Sequence, residues 1–151
     1  MRRIHVKKEL ELSTPHENAQ TLMRLYEIRR EPTLRDARTW FVRSFHPATA
    51  EDVVSAMQSE NSAYLRMVVG YWDMVATFVV HGALDTPMVH ATCGEMLAAY
   101  CKVEHMIDEV RAAVGQPGLF QNVEQVAKDW PGAAERMAGM RQMFAEFAAS
   151  E

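Results

Sequence analysis

Between residues 86 and 114 the apolar positions fall in alternating steps of four and three: Val89, Cys93, Met96, Tyr100, Val103, Ile107, Val110 and Val114. A period of roughly 3.5 residues puts these side chains on one face of a helix, and a face that long has to be covered by another helix. The stretch before it is more apolar still. Leu65, Val68, Trp72, Val75 and Val79 form one stripe, with Tyr64, Met67, Tyr71, Met74 and Phe78 beside it. Only Ser62, Arg66, Gly70, Asp73, Thr77 and His81 are left as a narrow third strip. A helix apolar over so much of its girth belongs inside a bundle or at a subunit interface, so residues 62–81 are predicted to be the central helix. The joint reads GALDTP. Gly82 can end one helix in the left-handed conformation, Asp85 can cap the next, and Pro87 suits its first turn. The pattern predicts an all-α helical bundle built on a long antiparallel hairpin, 62–81 against 86–114, flanked by shorter helices.

The flanks follow from local signals. Residues 1–13 alternate weakly through Ile4, Val6, Leu10 and Leu12 and read as an extended or flexible arm; residues 14–149 read as a single domain. A helix is predicted from Pro15 to about Arg30, with Ala19, Leu22, Met23 and Tyr26 inward. Pro32 interrupts it, because the residue before a proline avoids the α region. Thr33 is expected to cap a second helix bearing Leu34, Ala37, Trp40, Phe41 and Phe45, and Thr49 a short third one with Glu51 and Asp52 in its first turn. GQPG at 115–118 ends the second arm. Phe120, Val123, Val126 and Trp130 mark a short helix stopped by Pro131, and a last helix buries Met137, Met140, Phe144 and Phe147. Gly94, inside the second arm, is expected to permit close approach of a neighbouring backbone, with Gly70 opposite.

Composition narrows the class without naming a chemistry. At 151 residues, 48% hydrophobic and 24% charged, the chain is an ordinary globular domain able to build a core without metals or disulfides. Eleven methionines suit irregular gaps between helices. Residues 1–46 hold ten Lys/Arg against six Asp/Glu, and the remainder six against fourteen, which predicts a basic N-terminal helix pair docked on an acidic body. Cys93 and Cys101, eight apart on one predicted helix, lie too far apart to bridge and read as reduced thiols of a cytoplasmic protein. The segment MRRIHVKKELEL has no continuous apolar run or cleavage site, so no signal peptide is expected. The run Met74–Val80 is far short of the ~20 residues that span a bilayer, and membrane association is not expected.

The titratable residues offer weak sites. His81, His90, Cys93, Cys101, Glu104 and His105 are the metal candidates. Helical rise separates His90 from Cys101 by roughly 16 Å, leaving groups too small for a zinc site. No metal or other cofactor is predicted. Cys101 with His105 could touch at i, i+4, but mid-helix there is no free N–H to hold an oxyanion. The arginines at 24, 29, 30, 35, 38 and 43 stand among Tyr26, Trp40 and Phe41. Those aromatics fall on apolar faces, so nucleic-acid binding is not expected. Asp73 is the sharper case. If buried it must find a partner, either Arg66 two turns away or an N-terminal arginine. The strip is expected either to face solvent or to form an interface ion pair or a polar inter-helix pocket, with Arg66, Tyr71, Trp72, Asp73 and Thr77 as the candidate site.

Several short motifs resemble a bacterial family of small all-helical domains of unknown function. They are the L-x-x-L-Y-E-x-R-R helix at 22–30, the G-x-L-D turn of Gly82, Leu84 and Asp85, Arg111 near the end of the second arm, and Trp130 closing the next helix. The resemblance spans roughly residues 20–131 and implies a fold, with no activity to carry over. Some family members carry an N-terminal membrane anchor, and no such segment is read here. The expectation is a non-enzymatic protein-interaction or regulatory module, homodimeric through the hairpin helices. The alternative is a small-molecule sensor or enzyme using the pocket around Asp73 and Arg66.

Overall fold

The computed structural model describes residues 13–151, so the arm expected at 1–13 lies, apart from Ser13, outside the described residues. Local caps set most helix starts. Thr14 and Glu17 form a reciprocal capping box at the start of α1, Pro15–Arg29. The next helix, α2 (Pro32–Arg43), is capped by Glu31 and not by Thr33. The Glu31 carboxylate accepts from the Thr33 and Leu34 amides, which holds its pKa below the ordinary carboxylate value. Pro32, lacking an N–H, takes the first helical position instead of ending the helix region. Thr49 and Asp52 make a second capping box at α3, Ala50–Met57. Then come α4 (Ser62–Val80), the left-handed Gly82 at φ 76°, and α5 (Thr86–Thr92), whose Met88 amide donates to Asp85.

The long second arm is segmented, which corrects the expectation of one rod over 86–114. The helix breaks at Cys93 (φ −117°, ψ 41°), restarts as α6 (Gly94–Val103), tightens into a 3₁₀ turn at Glu104–Met106, and continues as α7, Ile107–Val114. The physical reason is visible in α6. Every residue from Met96 to Val103 is buried, whereas a straight rod with one apolar stripe would expose half of them. Breaks on either side let successive segments turn different faces inward. The stripe from Val89 to Val110 is still buried throughout. Gly94 opens α6 and meets no backbone; a Cβ there would touch the Arg136 guanidinium at 3.4 Å, and Gly70 faces open space.

Two further helices, α8 (Gln121–Lys128) and α9 (Ala133–Ala149), complete an all-α fold, with no strand among the described residues. α4 packs chiefly between α2 and α8, with α3 and α6 behind it, and α6 in turn lies against α9, α8 and α2. Trp72, Phe41, Met96 and Leu97 form the inaccessible centre. α4 is therefore one wall of the core and α6 its enclosed axis. By length and composition α4 could cross a bilayer, yet its Leu65, Val68, Trp72 and Val75 are sealed inside the bundle.

Polar ties pin the layers. Arg38 grips Glu95 through two hydrogen bonds of 2.8 and 2.6 Å, joining α2 to α6 and drawing one basic residue of the N-terminal half onto the acidic body. Arg111 holds Glu124, Asp108 and the Leu119 carbonyl, fixing the α7–α8 connection. Asn18, 3% exposed, accepts from the Asp85 amide at 2.7 Å and donates to the carbonyls of Ser13 and Thr14. That bond sets the rotation of α1, and it reverses an expectation. Leu25 and Asn18 face inward, while Met23 (63% exposed) and Tyr26 (50%) face outward.

Candidate functional site

The narrow strip along α4 opens onto a cleft. Residues from α3, α4, α6 and α7 and the connection after α7 enclose about 360 Å³, with Val53, Leu65, Val69, Ile107, Val110 and Phe120 among the walls. Among the described residues Arg66 is the only charged side chain on this lining, beside Ser62 and Gln116. Val69, Gly70, Gln116, Leu119 and Phe120 also line an adjoining depression of about 400 Å³ that reaches Asp73. The two spaces form one trough along the strip, and the exposed Gly70 lines both.

Phe120 builds the far wall under backbone strain. It is buried yet holds a left-handed φ of 58°, the single described non-glycine residue to do so. A bulky residue there is a conformational outlier. It also stands at the N-cap of α8 and offers no side-chain oxygen to that helix. Asp73 supplies the missing cap from across the trough. Its carboxylate accepts from the Val123 amide at 3.3 Å and from the Asn122 side chain at 3.2 Å. An anion there meets the positive end of the helix dipole. Asp73 thus finds its partner in a helix terminus, and not in Arg66 or an N-terminal arginine.

The structure divides the five pocket residues expected from sequence. Arg66 and Asp73 share the trough. Thr77 donates to the Asp73 carbonyl one turn back. Tyr71 and Trp72 lie on the opposite face of α4, turned toward α1. There the Tyr71 hydroxyl donates to the Leu25 carbonyl at 2.7 Å, and burial pushes its pKa up to about 12. Trp72 is fully buried beneath the Arg29 guanidinium.

The metal candidates are dispersed, and no group of three His, Cys, Asp or Glu side chains among the described residues is placed to hold an ion. His90 stacks on Trp130 with centroids 4.5 Å apart, and burial pushes its pKa down. Cys93 and Cys101 are buried free thiols, both with pKa raised by desolvation. Glu104 pairs with Arg141, and His105 is exposed. Of the clustered arginines, Arg38 is paired inside the fold and Arg29 and Arg43 lie over the rings of Tyr26 and Phe147.

Lys102 was not legible as a special residue, although it is the one cation in the apolar run of α6. It is 6% exposed and has no carboxylate within ion-pair distance among the described residues. Its ammonium donates to the Phe45 carbonyl at 2.6 Å, just past the end of α2, and sits 4.0 Å from the Phe144 ring centre. His46 donates its Nε2–H to the Arg43 carbonyl, which leaves Nδ1 to accept from Lys102 at 3.3 Å. A cation at a helix C-terminus is favourable, and the ring face adds cation–π attraction. The cluster ties α2, α6 and α9 together.

A family model described as "Domain of unknown function (DUF4760)" matches residues 15–130, and the chain belongs to that family. No curated protein and no solved structure matches the chain.

Burial lowers the Lys102 pKa from 10.5 to about 8. Between those values the unfolded chain binds the extra proton, so stability rises with pH. Urea unfolding at about pH 7 and about pH 9.5 should show the wild type gaining on the order of 1 kcal/mol over Lys102→Met. Parallel pH curves for the two proteins would contradict a desolvated ammonium.

Proposed function

We propose that this member of the DUF4760 family is a non-catalytic ligand-binding module that takes a small, largely apolar molecule into the trough beside Arg66. The observation carrying this reading is Gly70. A glycine in the middle of a helix costs about 1 kcal/mol relative to alanine. Here it repays nothing in packing, since a Cβ at Gly70 would meet no atom within 4 Å. What its missing side chain preserves is space. The adjoining cleft of about 360 Å³ falls in the range of small-molecule sites, and such sites are mostly apolar with a few convergent polar groups. The strained, buried Phe120 on the far wall fits the same reading, because backbone strain concentrates where ligands are held.

Gly70→Leu tests it. The substitution fills the trough from an exposed helix position, so the variant should fold and unfold at a denaturant concentration equal to or above the wild type's. Nile red, a neutral environment-sensitive dye, should bind the wild type at one site, and Gly70→Leu should weaken that binding about tenfold or more. No saturable dye binding by the wild type, or equal binding by the variant, would overturn the reading.

One observation favours a second reading, self-association, through α1 and not through the hairpin helices. The apolar stripe of α4 (Leu65, Val68, Trp72 and Val75) and residues Met96–Val103 of α6 are covered by the chain's own helices, whereas α1 exposes Met23 and Tyr26. These flank an apolar groove of about 270 Å³ that also involves Leu22, Tyr71, Met88 and Cys93. A two-fold contact needs one patch to be complementary to itself, and here one patch supplies both knob and groove. Sedimentation equilibrium should then show a dimer that Met23→Glu dissociates; a wild-type monomer at high concentration removes this reading.

A further inference from the structure

We propose that the trough's ligand is a free single-chain amphiphile with an anionic head, its carboxylate held by Arg66 and its chain laid along the apolar cleft. This rests on the trough being the binding site and adds the chemical class of its occupant. Three observations carry it.

The first is the charge inventory of the cleft. Its walls are mostly apolar, with Ser62 and Gln116 at the edge, and its single charge among the described residues is a guanidinium. The second is that Arg66 stands apart from the arginines that shape the fold. Arg38, Arg111 and Arg141 are each engaged with carboxylates. Arg66 is exposed, has no carboxylate within ion-pair distance among the described residues, and makes one long hydrogen bond, Nε to the Ser62 carbonyl at 3.4 Å. Its two terminal nitrogens are left to face an incoming anion, and a guanidinium fork matches a carboxylate in two parallel hydrogen bonds. Asp73, the acidic residue of the same strip, does not compete, because its oxygens cap α8. The third is the setting of Ser62. The start of α4 has no side-chain cap, so the positive end of this helix adds to the Arg66 field at the mouth.

The cleft of about 360 Å³ is at the small end of small-molecule sites, which suits a chain of medium length. Decanoate is a probe of that class and is monomeric at working concentrations.

The test is displacement of Nile red by decanoate, decanol and decylamine from the wild type, Arg66→Met and Arg66→Lys. Arg66 is exposed, so neither variant threatens the fold. The wild type should prefer decanoate over decanol by about tenfold or more and decylamine least. Arg66→Met should abolish that preference, and Arg66→Lys should restore part of it. Displacement by decanoate and decanol at equal concentrations, or a preference that survives Arg66→Met, would overturn the head-group assignment while leaving the trough as a site. Failure of Nile red to bind at all would remove both. Co-sedimentation with anionic phosphatidylglycerol vesicles is the remaining arm. No sedimentation is expected, and sedimentation unaffected by decanoate would show that the anion belongs to a bilayer and overturn the free-ligand form.

Discussion

The constraint on which this structure depends is the complete enclosure of α6. A helix can be hidden on every side only if other helices stand on every side of it and each polar tip it carries is met. α2, α4, α8 and α9 provide the walls. Tyr100 reaches Glu124, Cys101 donates to the Met137 carbonyl, and Lys102 donates to the Phe45 carbonyl. Each of these bonds belongs to a different neighbour, so α6 serves as the common reference for most of the chain. An unmet amine or hydroxyl at these depths would cost a few kcal/mol, a sizeable fraction of the roughly 5–15 kcal/mol that holds a typical domain together.

The breaks around α6 are what give the trough its shape. The 3₁₀ turn at Glu104–Met106 interrupts the helix between α6 and α7, and α7 packs on α3. The connection after α7 then folds over the strip of α4, anchored by Arg111 on the Leu119 carbonyl and by Asp73 on the start of α8. Between these anchors the backbone is forced into the left-handed Phe120. Fold and trough therefore draw on the same residues: Asp73 both holds a helix end and, by being occupied there, leaves Arg66 as the one uncommitted charge on the trough among the described residues.

What was legible in the sequence was local. Thr49 with Asp52, Asp85 with Met88, and the left-handed Gly82 act within four residues of themselves, and their side chains declare helix ends whatever surrounds them. The apolar periodicity gave the all-α class for the same reason. Two of the misreadings share a different cause. The rotation of α1 is set by Asn18 bonding Asp85, 67 positions away, and the partner of Asp73 is an amide 50 positions on. Neither pairing leaves a periodic trace. The narrow polar strip set Arg66 and Asp73 on one face of the helix, and both line the trough. It could not separate them from Tyr71 and Trp72, which are sequence neighbours on the other side of the helix.

The central claim is that α6 is the enclosed axis and α1 a peripheral attachment. Native-state amide hydrogen exchange addresses it directly. The amides of residues 97–103 should exchange only through global unfolding, with a free energy equal to that from urea denaturation, while those of α1 exchange orders of magnitude faster through local opening. Amides of α6 exchanging as fast as those of α1 would contradict the account.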